Sequence, residues 1–433
     1  MVLPGIWRKD HRLQFPFLAG FAVLLSVALP LAELNLHPEV IDSYAVTRFS
    51  FMALLCLAAT WLGYSTGGHR AGLRDIHFDT RRLTISAILL VTFGFYFGMK
   101  YLRTDVTTNE EGAMSGISTI YITLAKVMSY GFVIAAIIYM RTKNWKLIPL
   151  LVPQLWAYLS MFLVGRRSPT GELIVIILML LFFYRKWAPP FWALLVGMVL
   201  MTVFSLNIGE MRATNDQPLA ERLETLSASD PLQVLRLHGE SQEHRYVEIY
   251  NGAKYMEGRS IGGHYGLGLH FWNQLVFGFV PGQIVGQNVK QSFMFDLKDD
   301  SELAGFLKNT GTCETGFGEA FMAFGYFGCF LFYFLGSFMR WAWEGAVRGS
   351  ILHQYILLLC TVQGVQCFSI QLWTFVNLVV NIIIFAGPFL WWSKRPGSNA
   401  ESNVSKQGGP RQSRRKTRFR SDLKSAEATL RRQ

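Results

Sequence analysis

Residues 165–187 read GRRSPTGELIVIILMLLFFYRKW, an apolar run closed at each end by a basic pair, Arg166–Arg167 and Arg185–Lys186. Its centre, 172–184, is short for a bilayer, which leaves the flanks to complete the span. Working outward, the same signal recurs along the chain, at 15–33, 45–65, 83–102, 119–140, 147–164, 190–207, 314–339, 351–369 and 373–392. Apolar runs of roughly 17–25 residues match the thickness of the hydrocarbon core. The fold class expected is all-α: a polytopic integral membrane protein of about ten transmembrane helices. Composition agrees, with 51% hydrophobic and 16% charged residues. A transmembrane β-barrel would need short alternating segments instead.

The loops orient the spans, because Lys and Arg gather on the cytoplasmic side. With a cytoplasmic N-terminus, the inner segments are 1–14, 66–82, 141–146, 185–189, 340–350 and 393–433. They hold Arg70, Arg74, Arg81, Arg82, Arg141, Lys143, Lys146, Arg185, Lys186, Arg340 and Arg348 besides the termini. The outer segments are 34–44, 103–118, 165–171, 208–313 and 370–372. The first of these has no Lys or Arg, and the second has Arg103 against Asp105, Glu110 and Glu111. Both termini are thus expected in the cytoplasm. The first span has a basic flank (Arg8, Lys9, Arg12) without a small-residue cleavage site, so it reads as an anchor.

Four parts follow: a helical bundle at 1–207, a large outer loop with short helices at 208–313, further spans at 314–392, and a basic tail at 393–433. The formal net charge of +12 comes mostly from that tail, which has 12 Lys/Arg and 3 Asp/Glu. Its Ser, Gln, Gly and Arg content marks a disordered topology anchor that touches anionic lipid. No nucleic-acid partner is expected, since the tail lacks a folded core and interleaved aromatics. The outer loop holds 9 Lys/Arg, 13 Asp/Glu and 4 His. Loops longer than about 12–15 residues are uncommon unless functional. Helical periodicity appears at 218–226 (PLAERLETL) and 243–256 (EHRYVEIYNGAKYM), where Tyr246, Ile249, Tyr250, Ala253 and Met256 form a stripe. The Gly-rich aromatic stretch 262–282 reads as lying on the bilayer or dipping into it, because a full span there would turn the basic tail outward.

Arg166 and Arg167 form a pair on the side that usually lacks them, beside a long polar loop. A guanidinium gives two parallel hydrogen bonds to phosphate and keeps its charge, so the pair suits a pyrophosphate; interfacial snorkelling is the plain alternative. In the second periodic stretch, His244 and Arg245 lie one helical turn from Glu248. Glu319 stands just inside an apolar span, where an ionisable group is expensive and needs a partner. Gly318, Gly325 and Gly328 permit close approach of a helix or a lipid. His238, His244, His264 and His270 are candidate proton carriers. Asp299–Asp300 reads as a solvated turn. The five cysteines show no CxxC or metal spacing, and no nucleotide-binding or nucleophile-elbow motif occurs. Metal: none expected; cofactors: none expected.

Four stretches together resemble the bacterial oligosaccharide repeat-unit polymerases, the O-antigen polymerase family. They are the arginine-edged span at 165–187, EHRYVEIY at 243–250, FWNQLVFGFVPGQIVGQNVKQ at 271–291, and TGFGEAFMAFGYFGCFLFYFLG at 315–336. Members commonly carry Pro-Arg followed by Trp and Lys-Pro. Here Gly282 follows Pro281, and Lys290 comes late and precedes Gln291, which moves the task of that arginine to Lys290 or Arg245. The resemblance implies a multi-pass protein of the bacterial inner membrane. It implies transfer of a glycan from undecaprenyl pyrophosphate to a new lipid-linked repeat unit on the periplasmic face. The polymer is O-antigen, capsule or exopolysaccharide, and the implied partners are membrane lipid, a flippase and a chain-length regulator of the same pathway. Arg166, Arg167, Arg245, His244 and Lys290 would answer the charge of the pyrophosphate. Glu248, His244, His264 and Glu319 are the groups available to accept the acceptor's proton.

Other readings remain open at this level. A ligase would use the same donor and a lipid-core acceptor. A transporter or flippase would show internal repeats and broken charged helices near the midplane, which are not evident. A membrane peptidase would rest on Cys313, which has no neighbouring histidine in sequence.

Overall fold

The computed structural model describes residues 11–35, 41–70, 76–104, 107–108, 114–163, 167–194, 196–197, 247–280, 282–297, 301–304 and 313–395. These residues are overwhelmingly helical, with one two-residue hairpin pairing Thr107–Thr108 against Met114–Ser115. Seven stretches are long and apolar enough to cross a membrane: Phe15–Ala32, Ser43–Thr66, Thr80–Leu102, Ile117–Thr142, Ser168–Arg185, Thr315–Val347 and Leu372–Ser393. The chain is an all-α, multi-pass membrane protein.

In chain order the first span contains α1 (Phe15–Val23), a π-helical turn and α2 (Leu29–Leu34). Next come α3 (Ser43–Thr66), α4 (Thr80–Leu102), α5 (Ile117–Ala125), α6 (Val127–Thr142), α7 (Ile148–Leu163) and α8 (Arg167–Arg185). Asp42 and Asp79 begin α3 and α4 as N-caps, accepting from backbone N–H groups one turn ahead. Helix α7 has 16 residues and occupies the run read at 147–164. The run at 172–184 does extend into its flanks, starting at Arg167. The run at 190–207 lies mostly outside the described residues, and 208–246 and the tail beyond 395 lie wholly outside them.

Within residues 208–313, α9 (Val247–Gly262), α10 (Leu269–Phe279), α11 (Gly282–Val285) and α12 (Gln287–Ser292) lead to α13 (Thr315–Phe324). Then follow α14 (Cys329–Val347), α15 (Ile351–Gln366), α16 (Leu372–Asn381), a π-helical turn at Ile382–Ala386, and α17 (Gly387–Ser393). The span expected at 314–339 is longer and interrupted. It turns through a 3-10 segment, Gly325–Gly328, and runs on to Val347, so Arg340 lies inside the helix and not in a loop. Gly325 has φ +60 beneath the Tyr265 ring, and a methyl on Gly328 would collide with the carbonyl of Ala320. Both glycines therefore serve the turn and its packing.

The core is aromatic. Phe49, Phe317, Phe332 and Phe368 are fully buried, with ring centroids 5.9 Å apart for Phe49–Phe317, 5.5 Å for Phe317–Phe332 and 5.1 Å for Phe332–Phe368. Helices α3 and α14 cross at backbone contact. A methyl on Gly63 would strike the carbonyl of Tyr333, one on Gly336 the carbonyl of Thr60, and Ser337 Oγ donates to Gly63 O at 3.0 Å. Small residues at such a crossing let helices gain dispersion contacts where lipid offers no hydrophobic drive. On the outside, Phe51, Leu54, Trp61, Phe93 and Tyr96 are exposed, as side chains facing acyl chains would be.

The segments that alternate in sequence also separate in space. At one end Arg12 Nη1 donates to Pro189 O (3.1 Å), Asp79 N to Ser393 O (2.9 Å) and Arg141 Nε to Tyr184 Oη (3.0 Å). At the other, Arg48 Nη1 donates to Met256 O (3.4 Å), Asn251 Nδ2 to Cys313 O (3.4 Å) and Ser168 Oγ to Gln366 Oε1 (3.2 Å). Helices α9 and α10 lie over this second end.

Candidate functional site

Helix α9 forms where the period-3.6 stripe was read, shifted toward the C-terminus. Ile249, Ala253 and Met256 are buried against the bundle, and Tyr250 is half-buried. Gly252 faces Gly318 of α13 so closely that a methyl on Gly252 would meet Phe49 and the Thr315 hydroxyl at 2.9 Å each. The glycine pair sets α9 directly on the opening turn of the α13–α14 span. Helix α9 stops at Gly262, with Gly263 at φ +70 and its N–H donating to Arg259 O at 2.9 Å. Glycine is the residue that takes this left-handed position at little cost.

The chain then folds over α13. Gly266 N donates to Met322 O at 3.0 Å, and the Tyr265 ring packs edge-on against Phe321 at 5.8 Å. This delivers His270, in the first turn of α10, to Glu319. Their closest atoms, His270 Nε2 and Glu319 Oε1, are 3.7 Å apart. Glu319 is 3% exposed. Its Oε2 accepts the backbone N–H of Leu372 at 2.6 Å and of Trp373 at 3.0 Å, the first two residues of α16. The partner that the sequence required is therefore chiefly a helix N-terminus, whose orphan N–H groups and positive dipole end suit a carboxylate.

Burial, and secondarily the charge of Arg259, press the His270 pKa down from its ordinary 6.5 to about 4. The ring is neutral at neutral pH. Arg259 closes the group from the other side, its Nη1 donating to His264 O at 2.9 Å. A half-buried imidazole, a buried carboxylate and a guanidinium thus meet at one place on the covered end of the bundle.

The other site residues read from sequence distribute differently. His264 is exposed and contributes its carbonyl to Arg259. Glu248 is exposed in the first turn of α9. Eleven residues of helix, about 16 Å at the α-helical rise, separate it from Arg259, so it does not join the cluster. Lys290, in α12, donates Nζ to Phe277 O at 3.0 Å and sits 4.3 Å from the Phe277 ring centroid. Desolvation lowers its pKa below the usual lysine range. It occupies the far end of α10 from His270, about 10 Å along the helix. Arg167 opens α8; Arg166, His244 and Arg245 lie outside the described residues, as do Tyr246 and Asp299–Asp300.

Arg259, Tyr265 and Arg48 were not singled out from sequence. Arg48 carried a usable signal: it is a charged residue a turn into an apolar span. It lies 4.6 Å from the Tyr44 ring centroid and reaches Met256 on α9. Glu172, beside Tyr158 and within the field of Lys126, is a second ionisable group inside a span at this end. Among the described residues, no three His, Cys, Asp or Glu side chains are placed to hold a metal ion. No family model, curated protein or solved structure matches the chain.

Proposed function

We propose that the chain is a glycosyltransferase that polymerises oligosaccharide repeat units carried on a lipid pyrophosphate, working at the periplasmic face of a bacterial inner membrane. The observation that carries the reading is the covered end of the bundle, where His270, Glu319 and Arg259 converge beneath α9 and α10. The opposite end gathers the loop arginines, which under the positive-inside rule supports a cytoplasmic side there and a periplasmic side at the covered end. In this reading about ten spans separate the two faces, and both termini lie inside.

The reaction needs little. An acceptor hydroxyl oxygen attacks the anomeric carbon of the donor glycan. The bond from that carbon to the pyrophosphate oxygen breaks, and the lipid pyrophosphate leaves with the electron pair. Arg166, Arg167, Arg245, His244 and Lys290 are the groups to bind this anion, with Arg259 added from the structure. The hydroxyl proton passes to a base. Among Glu248, His264, Glu319 and His270, the last is best placed: with its proton on Nε2 towards Glu319, the Nδ1 lone pair is free to accept. Glu319 would then stabilise the imidazolium as it forms, as a carboxylate does beside a catalytic histidine.

The test is a deletion strain complemented with wild type or with Arg167→Ala, Arg259→Ala or His270→Gln, each checked for membrane expression. Surface glycans reduced to single repeat units indicate a lost polymerase. Long polymer left on the carrier indicates a ligase, and repeat units trapped inside the cell indicate a transporter; either result overturns the proposal.

A further inference from the structure

The end of the bundle away from Glu319 has a cavity that the proposed chemistry does not use. Helices α4, α6 and α15 part around about 320 Å³, with Arg141, Arg348, His77 and Ser350 on the walls and Leu83 and Ile138 beneath. No carboxylate is among the described lining side chains. Arg141 is held in place: Nε donates to Tyr184 Oη at 3.0 Å, and Nη2 donates to Gly349 O and to Gln354 Oε1. Those bonds leave the Nη1 N–H groups for a ligand. A cation fixed beforehand loses little side-chain freedom on binding.

Arg348 stands across from it, 57% exposed, with Nη2 3.6 Å from Glu344 Oε2. Between them begins α15, a 16-residue helix without a side-chain cap, since the Ser350 hydroxyl is engaged with His353 Nδ1 at 2.7 Å. The backbone of Arg395 is bonded to His77 O at 3.0 Å, which brings further cationic residues to the rim. The tail borders the cavity at Arg395, but its 12 Lys/Arg against 3 Asp/Glu make it a poor match in charge for a cationic interior. An apolar floor under a cationic mouth, at the membrane-water boundary, matches an amphiphile with a negative head.

We propose that this cavity binds a phosphate-bearing anion, and that the phosphate is the headgroup phosphodiester of an anionic phospholipid in the adjoining leaflet. The Arg141 Nη1 N–H groups and the Arg348 guanidinium can donate to phosphate oxygens, while Leu83 and Ile138 meet the start of the acyl region. The inference stands apart from the glycosyltransferase reading and needs only that the chain is embedded in a bilayer.

The experiment uses the full chain in phosphatidylcholine nanodiscs, with phosphatidylglycerol added and retained lipid read by native mass spectrometry. Arg348→Gln is expected to lower phosphatidylglycerol retention about fivefold, the worth of one interfacial arginine, with phosphatidylcholine unchanged. Arg348→Lys should retain most of the preference. Because Arg141 also ties three helices together, Arg141→Gln is read only alongside an unchanged melting temperature. Equal phosphatidylglycerol retention in wild type and Arg348→Gln overturns the site. Inorganic phosphate is the second probe: if it displaces phosphatidylglycerol, a soluble phosphate compound is the occupant and the lipid assignment falls.

Discussion

Glu319 Oε2 lies 2.6 Å from the amide nitrogen of Leu372, so one buried carboxylate fastens the opening of α16 to the middle of α13. Leaving two buried N–H groups without an acceptor costs about 1–3 kcal/mol each. Glu319→Ala should therefore lower the melting temperature in detergent, while Glu319→Gln, which keeps an acceptor oxygen, should lower it much less. If both variants lose polymer but only the alanine loses stability, the carboxylate acts on His270 as well as on α16. An alanine variant that melts like wild type would dismiss the capping role.

His270 makes a prediction about acid. Its folded pKa, about 4, lies below the ordinary 6.5, so the unfolded chain takes up the proton first as pH falls. The stability linked to this neutral ring is complete above 6.5 and drains away as pH drops towards 4. His270→Gln should flatten that part of the curve of melting temperature against pH. An unaltered slope between those limits would mean that the ring is not the group titrating.

Gly252 has no room for a side chain. Gly252→Val would force its methyls into Phe49 and Thr315 and prise α9 from α13. Overpacking of this kind costs about 1–3 kcal/mol. The expected readout is faster proteolysis within 247–297 while the spans stay protected. Protection equal to wild type would show that α9 is not seated through this glycine.

Sidedness can be read with single cysteines in a background lacking the native five. A cysteine at His264 should react with an impermeant maleimide added to whole cells, and one at Lys146 should react only after the membrane is opened. The reverse pattern would put the His270 cluster in the cytosol and remove the ground for a periplasmic transferase.

Lys290 is a further cation at this end. Its ammonium is partly desolvated on Phe277. Lys290→Ala should shorten the glycan ladder with little change in melting temperature, and Lys290→Arg should restore most of its length. A full-length ladder in the alanine variant would place the pyrophosphate elsewhere.

Local pattern made much of this architecture legible. Apolar runs marked spans, and the stripe of Ile249, Ala253 and Met256 marked a helix with one buried face, because both signals depend on neighbours within a few turns. What escaped depends on distant backbone. The turn at Gly325 takes its shape from Tyr265 and from Ala320 of the turn before. The acceptor role of Glu319 was hidden because its donors are main-chain N–H groups 53 and 54 residues away. Arg48 was visible as a charge in an apolar run, yet its partner is a carbonyl 208 residues downstream.

Ser86 and Ser393 meet through their hydroxyls at 2.9 Å although 307 residues separate them. The seam between α4 and α17 is thus sewn by a stretch the ribosome makes long after α4 has been inserted. Until then, the flank of α4 around Ser86 must be shielded by acyl chains or by an insertase, and a hydroxyl is a poor guest in oil. Closure of this seam therefore waits for α17.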